Sequence, residues 1–261
     1  MLNIQELLLN QRKNKFIWLE RMKNSPEFIL HFSSNFHYYH LIEAIVNIGL
    51  KNFKEAKNNY YICGLIDIFG VAKRNKRYRF LDYDLPAICS AILSDNEHLI
   101  QKYSKLRYQK GANAELSMDE MVLKGESAIW CNTVQFFMAN DTQGVERNLN
   151  IIETLTLPKL PKNQQELKLD YEFYKALLSK DKSKCEEILE QLVSPKVHKK
   201  RNDNPILNKY VSQPALGYAK LAWRQGIEVE VNSPLVPREI LPIEPLDNYE
   251  IPYDFLKDEI L

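Results

Sequence analysis

Apolar residues recur along most of this chain at intervals of three and four, the period of helices that bury one face. Three times an apolar run ends in small or polar residues and a second amphipathic run starts at once. These stretches are Ala91-Ile92-Leu93-Ser94-Asp95-Asn96, Phe137-Met138-Ala139-Asn140-Asp141-Thr142 and Ala176-Leu177-Leu178-Ser179-Lys180-Asp181. Each predicts the turn of a helical hairpin. Leu93 and Met138 are 45 residues apart, and Met138 and Leu178 are 40 apart, which is the spacing of stacked helix-pair repeats.

The pattern predicts one or two short helices over 2–23, with Leu8, Phe16, Leu19 and Met22 on recurring faces, then a break at Asn24-Ser25-Pro26. Helices follow over 28–50 and 53–72, then a basic linker at 73–79. The hairpins are 84–94 with 95–108, 119–139 with 141–156, and 163–179 with 181–192. Asp95 is expected to cap its helix, and Gly111 to follow its end. Lys196 to Asn204 reads as a charged loop. A last helix, 213–225, is entered by Ser212-Gln213-Pro214 and ended by Gly226 at the position that favours a left-handed residue. Ile227-Glu228-Val229-Glu230-Val231 alternates with period two and predicts an extended strand with one buried face. Prolines at 234, 237, 242, 245 and 252 make the remainder a tied-down, irregular tail. The expectation is an all-α fold of stacked antiparallel hairpins with a short extended segment near the C-terminus. It forms a single domain over 1–261, divided into N-terminal helices (1–80), hairpins (81–226) and tail (227–261).

Composition supports helix: only 8 of 261 residues are Gly. The formal net charge of +1 argues against a strongly basic nucleic-acid binder. The charge is nevertheless polarised. Residues 1–80 hold thirteen basic and six acidic residues, a net of +7, whereas 239–261 hold seven acids and one base, a net of −6. Cys63, Cys89, Cys131 and Cys185 sit singly in apolar runs and read as buried reduced thiols. The N-terminus lacks the basic start of a signal peptide, and the longest apolar stretch, 60–72, carries Asp67 and is too short to span a bilayer. A cytoplasmic protein without a membrane partner is expected.

The candidate chemistry is sparse. His31, His37 and His40 invite a metal reading, with Glu43 as the nearest carboxylate; aromatic packing and surface histidine is the plainer one, and His98 and His198 stand alone. Glu186, Glu187 and Glu190 form a carboxylate cluster that reads as a solvated face. Serine-nucleophile and phosphate-loop motifs are absent, and no Arg is followed four to six residues later by His, as helical ribonucleases require. The basic runs 73–79 and 196–201 carry Tyr78 and His198, so a cryptic nucleic-acid enzyme stays open as a lesser reading. No catalytic set, cofactor, metal or small-molecule substrate is indicated.

The segment from Pro214 to Val229, Pro-Ala-Leu-Gly-Tyr-Ala-Lys-Leu-Ala-Trp-Arg-Gln-Gly-Ile-Glu-Val, followed by Ser233-Pro234-Leu235-Val236-Pro237, resembles the end of the immunity protein 49 family. The resemblance covers about residues 80–245 and is sharpest over 214–238. It implies an all-helical immunity protein that accompanies bacterial polymorphic toxins and neutralises a cognate protein toxin by stoichiometric occlusion. The residues themselves read as a last core helix, with Ala215, Ala219 and Ala222 making a thin face. The acidic, aromatic tail (Asp247, Tyr249, Glu250, Tyr253, Asp254 and Phe255) is the candidate contact surface, with aromatics as anchors and acids as steering charges. It could equally wrap its own repeats. The alternative function is a helical-repeat adaptor without a toxin partner.

Overall fold

The computed structural model describes residues 4–24, 29–74, 80–83, 85–110, 115–202 and 204–259. The fold is all-α, with no strand among the described residues. Helix α1 spans Ile4–Asn24, α2 Ile29–Gly49, α3 Phe53–Arg74 and α4 Phe80–Tyr83. The three predicted hairpins are α5 (Leu85–Leu93) with α6 (Glu97–Ser104), α8 (Ala128–Met138) with α9 (Thr142–Ile151), and α10 (Lys168–Leu178) with α11 (Lys182–Val193). Helix α7 is Met118–Leu123, α12 Pro195–Arg201 and α13 Ala215–Arg224. The expected features at Ser25-Pro26, Asp84 and Gly111, and most of the basic linker 73–79, lie outside the described residues.

Neighbouring pairs stack: α3 lies on α2, α5 and α6, α8 on α6 and α9, and α10 on α9. Helix α13 then returns to touch both α5 and α11, closing the array. It comes so near α5 that a Cβ on Gly217 would lie 2.0 Å from the Cys89 sulfur. The alanine face of α13 is buried, and one apolar cluster includes residues from Ile4 to Leu256. All four cysteines are free and buried.

Several expectations are corrected. In place of short helices, Ile4–Asn24 is one long helix, and Phe16 points away from the core at 70% exposure while Leu8 and Met22 are buried. The predicted helix 119–139 breaks where Gly125 takes φ 69° and Glu126 N–H returns to the Met121 carbonyl. The helix expected to run to 108 ends at Ser104, where Lys105 and Leu106 N–H bond carbonyls three residues back. The expected loop 196–204 begins with α12, because Pro195 starts a helix without needing an N–H partner and Arg201 is anchored by a buried carboxylate. Residues 227–231 keep the predicted alternation, with Ile227 and Val229 buried and Glu228 and Glu230 exposed, but pair with no strand. Instead Glu186 and Glu190 of α11 accept the N–H groups of Glu230 (2.8 Å) and Asn232 (2.6 Å). Two members of the supposed solvated carboxylate cluster thus serve as the missing strand edge.

The hairpin turns share one construction. The second residue after the helix end adopts the left-handed conformation and the next caps the following helix. Asn140 (φ 55°) precedes Asp141, which accepts from Gly144 N–H, and Lys180 (φ 58°) precedes Asp181, which accepts from Lys184 N–H. In the first hairpin Asp95 is the left-handed residue (φ 58°), and Asn96, not Asp95, is the cap, accepting from Leu99 N–H. The same left-handed backbone recurs at Lys51 (φ 59°), which with Asn52 joins α2 to α3. Left-handed backbone costs a side-chain-bearing residue about 1–2 kcal/mol. Each of the four spends its side chain on the segment that follows α13's midpoint: Asp95 on Lys220, Asn140 on the Gln225 amide, Lys180 on the Gln225 carbonyl and Lys51 on Glu239.

The Asp95 contact is the most deeply buried. Its Oδ2 accepts from Lys220 Nζ at 2.7 Å, Lys57 Nζ at 2.9 Å and Glu244 N–H at 3.2 Å. Asp95→Gly should therefore lower stability by about 3–5 kcal/mol, since it leaves two lysines buried without their anion. Lys51→Gly should raise it by about 1 kcal/mol, because it removes left-handed strain at the expense of an ion pair that is largely exposed and worth little. Urea unfolding midpoints of the two variants, moving in opposite directions, check this reading.

Candidate partner-binding surface

Beyond α13 the chain runs without helix over 227–233, turns at 234–236 where Val236 N–H meets the Ser233 carbonyl, makes a 3-10 turn at Arg238–Ile240, and lies across α3 and the α5–α6 turn. Carbonyls of alternate residues face one way there: Ile240 and Pro242 accept from Lys220 Nζ at 2.8 and 2.7 Å, and Glu244 accepts from Lys57 Nζ at 2.8 Å. Desolvation pulls the Lys220 pKa down to about 8, against the pull of Asp95.

The tail's aromatic residues turn inward. Tyr249 donates its hydroxyl to the Ser94 carbonyl at 2.8 Å and packs on Tyr61 with ring centroids 4.7 Å apart. Tyr253 is 3% exposed, lies 4.8 Å from Phe36 and stacks on Phe255, which also meets Phe69. The acids of the predicted contact surface are the exposed half of it: Asp247, Glu250 and Asp254 all face solvent. Glu250 is held by its backbone N–H on Asn58, and Asp254 pairs with Lys257. Sequence alternation alone did not separate these two sets.

Beneath the tail, the histidines of α2 serve separate partners. Asn59 donates its amide to the Glu55 carbonyl, so its oxygen faces His40 Nδ1 (2.6 Å) and accepts from it. Nε2 is then the acceptor for the Tyr253 hydroxyl at 2.8 Å. Burial pushes the His40 pKa down to about 3. His37 faces Asp67 at 3.5 Å, and Asp67 also accepts from Tyr103. Glu43 accepts from Tyr39 (2.6 Å) and both arms of Arg12 (3.0 and 3.2 Å). Lys15 lies 4.7 Å from the Tyr39 ring centre and 5.5 Å from that of Tyr253, bringing α1 beside the tail. The side chain of His31 lies outside the described residues. No group of three His, Cys, Asp or Glu among the described residues could hold a metal ion.

A second buried network lies under α12. Asp170 accepts both arms of Arg201 (2.7 and 3.0 Å) and the Tyr218 hydroxyl, which in turn meets the Tyr174 hydroxyl at 2.8 Å. Burial and the Asp170 charge push both tyrosines well above the usual phenol range, so neither ionises near neutrality. Arg201 also lines a cleft of about 480 Å³ with Trp130, Lys159 and Glu166. A more open groove of about 550 Å³ separates α9 from the α10–α11 turn, with Glu146, Glu153 and Glu172 among its lining residues. Sequence reasoning passed over Lys220 and Asp170. The available signal was a charged residue placed on the apolar face of an otherwise buried helix. No helix of the described residues is long and apolar enough to cross a membrane.

His40 gives a pH dependence with a defined sign. Its pKa falls from 6.5 unfolded to about 3 folded, so the unfolded chain binds the proton first as pH drops. The stability His40 contributes is complete above pH 6.5 and is lost progressively below it. Between pH 6.5 and 5 the wild type should lose about 1.6 kcal/mol in all beyond what His40→Gln loses. Parallel denaturant titrations of the two proteins across that window measure the difference.

Comparison with curated proteins and with solved structures returns no match. The family model of immunity protein 49 matches residues 68–240. That span is well over half of the chain and takes in the three predicted hairpins, α13 and the extended segment laid on α11, so the chain belongs to the immunity protein 49 family.

Proposed function

We propose that the chain neutralises a cognate toxin by binding it one to one and covering a surface the toxin needs, in the cytoplasm of the producing cell. Family membership over residues 68–240 carries this reading. The chemistry of the buried polar groups agrees with it. The clusters around Asp95, Asp170 and His40 tie elements together through internal hydrogen bonds, with Asp95 Oδ2, Asp170 and His40 all held by neighbouring side chains. A scaffold built this way offers shape and surface charge.

Within that reading, Asp247, Glu250 and Asp254 act as steering charges for a basic toxin surface, while Tyr249, Tyr253 and Phe255 fix the tail that presents them. Removing the tail would also expose Phe36 and His40, so charge variants are the cleaner test. Asp247→Lys, Glu250→Lys and Asp254→Lys together should slow association with a cognate toxic domain, sought first in the genes adjoining this one, at least tenfold at low salt, with the difference shrinking at high salt. Thermal stability should be little changed, because all three side chains face solvent. The wild type should rescue growth of cells expressing that domain and form a 1:1 complex on size exclusion with light scattering. An adaptor without a toxin partner would do neither.

A further inference from the structure

The cleft of about 480 Å³ beside Arg201 lies where the backbone departs from regular helix on two sides. Gly125 takes φ 69° on one wall. On the other a π-helical turn, Ile152–Thr156, runs into a 3-10 turn, and the Thr156 hydroxyl donates to the Gly125 carbonyl at 2.8 Å. Such π turns recur at functional sites. Most polar groups around the cleft have partners. Asp82 accepts from the Tyr108 hydroxyl, Arg201 is held by Asp170 and Glu166 by Lys200. Two lining groups stand apart. The Ser127 hydroxyl is buried at the start of α8 and caps nothing. Trp130 is 5% exposed, and its indole N–H donates to nothing among the described residues. The two residues are three apart and share one face of the helix. Buried polar groups in folded proteins are nearly always paired, so two unpaired groups on one cleft mark a place for a ligand to complete.

The chemistry of the lining selects the occupant. With the ion-pair partners included, the cleft carries four carboxylates (Asp82, Glu126, Glu166 and Asp170) and three cations (Lys159, Arg201 and Lys200), a net of −1. An anion gains little in such a field. A cation leaves the indole N–H, which can only donate, without an acceptor. A neutral acceptor, the carbonyl of a peptide group, suits both Trp130 and Ser127. Leu160, Pro161 and Leu167 give the cleft apolar walls for the side chain beside that carbonyl. The apolar surface continues past the mouth. Leu155 is 37% exposed, with its Cβ 2.9 Å from where a Gly125 Cβ would stand, and Leu123, two residues before Gly125, is 59% exposed. Among the described residues these are the two large exposed apolar side chains within the 68–240 family match. A small molecule enclosed by the cleft would leave this rim bare, whereas a polypeptide loop covers both. We infer that a protruding loop of the toxin enters this cleft. A main-chain carbonyl of the loop accepts from Trp130 Nε1–H and Ser127 Oγ–H, an apolar side chain rests on Leu160 and Pro161, and flanking residues cover Leu123 and Leu155. The inference rests on the immunity function proposed above and adds an anchoring point to its steering charges.

The test uses the full chain and a cognate toxic domain, sought first in the genes adjoining this one. Ser127→Ala removes a hydroxyl that has no partner in the free protein. Its unfolding midpoint should therefore hold or rise, while toxin affinity falls about fivefold. Ser127→Phe, which sets a ring in the cleft, should weaken binding about 100-fold or more and abolish growth rescue. The Leu123→Ser, Leu155→Ser pair should weaken binding about tenfold at an unchanged midpoint, and it stands in for Ser127→Phe if that variant does not fold. The indole N–H resonance of Trp130, assigned by its loss in Trp130→Phe, should move when the toxic domain is added. An unmoved resonance, or wild-type affinity in Ser127→Ala and in the leucine pair, would overturn the inference and leave the immunity function standing. A small molecule carried by the purified wild type in native mass spectrometry and lost from Ser127→Phe, with protection retained, would assign the cleft to that molecule and equally overturn it. So would a wild-type homodimer that Ser127→Phe dissolves with protection retained. Failure of the wild type itself to bind or protect would remove the function and the inference together.

Discussion

Lys220 has no exposed surface, and its ammonium makes three hydrogen bonds: to Asp95, to the Ile240 carbonyl and to the Pro242 carbonyl. A lysine has three N–H donors, so none is left over. Full pairing is the condition on which a charge can be carried into a core without a penalty of several kcal/mol. The acceptors come from two places far apart in sequence, the turn of the first predicted hairpin and the start of the tail, and Lys57 of α3 shares the same Asp95 oxygen. One carboxylate oxygen between two ammonium groups thus fixes α3, the α5–α6 turn, α13 and the tail relative to one another. Breaking any member strands the others in a region that water does not reach.

That arrangement gives the charge polarity of the chain a physical place. The basic N-terminal portion and the acidic tail pack together, yet side-chain ion pairs form a minor part of the contact. Lys57 and Lys220 are met chiefly by backbone carbonyls, which the prolines at 242 and 245 leave in an extended row by excluding helix. The aromatic residues supply apolar contact, Tyr249 on Tyr61 and Tyr253 with Phe255 on Phe36. The acids left over, Asp247, Glu250 and Asp254, are the ones facing outward, which is why the tail can be both a structural clasp and a source of field at the surface.

The sequence was most legible where local rules act alone. Hairpins, the helix entered through Pro214 and the left-handed Gly226 follow from periodicity and from the backbone preferences of single residues, and the observed hairpin boundaries fall within a few residues of the expected ones. The break at Lys51-Asn52 was read from the ends of the two flanking helices, but its left-handed construction was not, because lysine gives no hint of left-handed backbone, and the 227–231 segment looked like a strand because alternation reports which face is buried, not what pairs with the backbone. Asp95 looked like a helix cap for the same reason: a carboxylate at a turn suits the free N–H groups, and only the far-off Lys57 and Lys220 show that a buried ion pair outcompetes them. Of the candidate surface, the tail's location and charge could be read, but the side of each aromatic could not. Phe16 illustrates the limit, since α1 has two apolar stripes and periodicity alone does not say which one faces the core.

The four left-handed turn residues explain why the array is closed. A glycine at each would have been free of backbone strain, at the price of a side chain. With side chains, each turn carries about 1–2 kcal/mol of local strain and gains a contact to the segment between Lys220 and Glu239, which outweighs the strain at buried Asp95 and does not at exposed Lys51. Hairpins in an open repeat array are stabilised by their immediate neighbours and can form one at a time. Here the turns of all four pairs also reach a strap that arrives late in the sequence. Three of these contacts are partly exposed and individually weak, whereas the Asp95 contact is buried and strong, so the strap is set by one anchor and steadied by the others. A scaffold locked in this way holds the tail in fixed relation to the hairpins, and a rigid surface loses less conformational freedom when a partner docks.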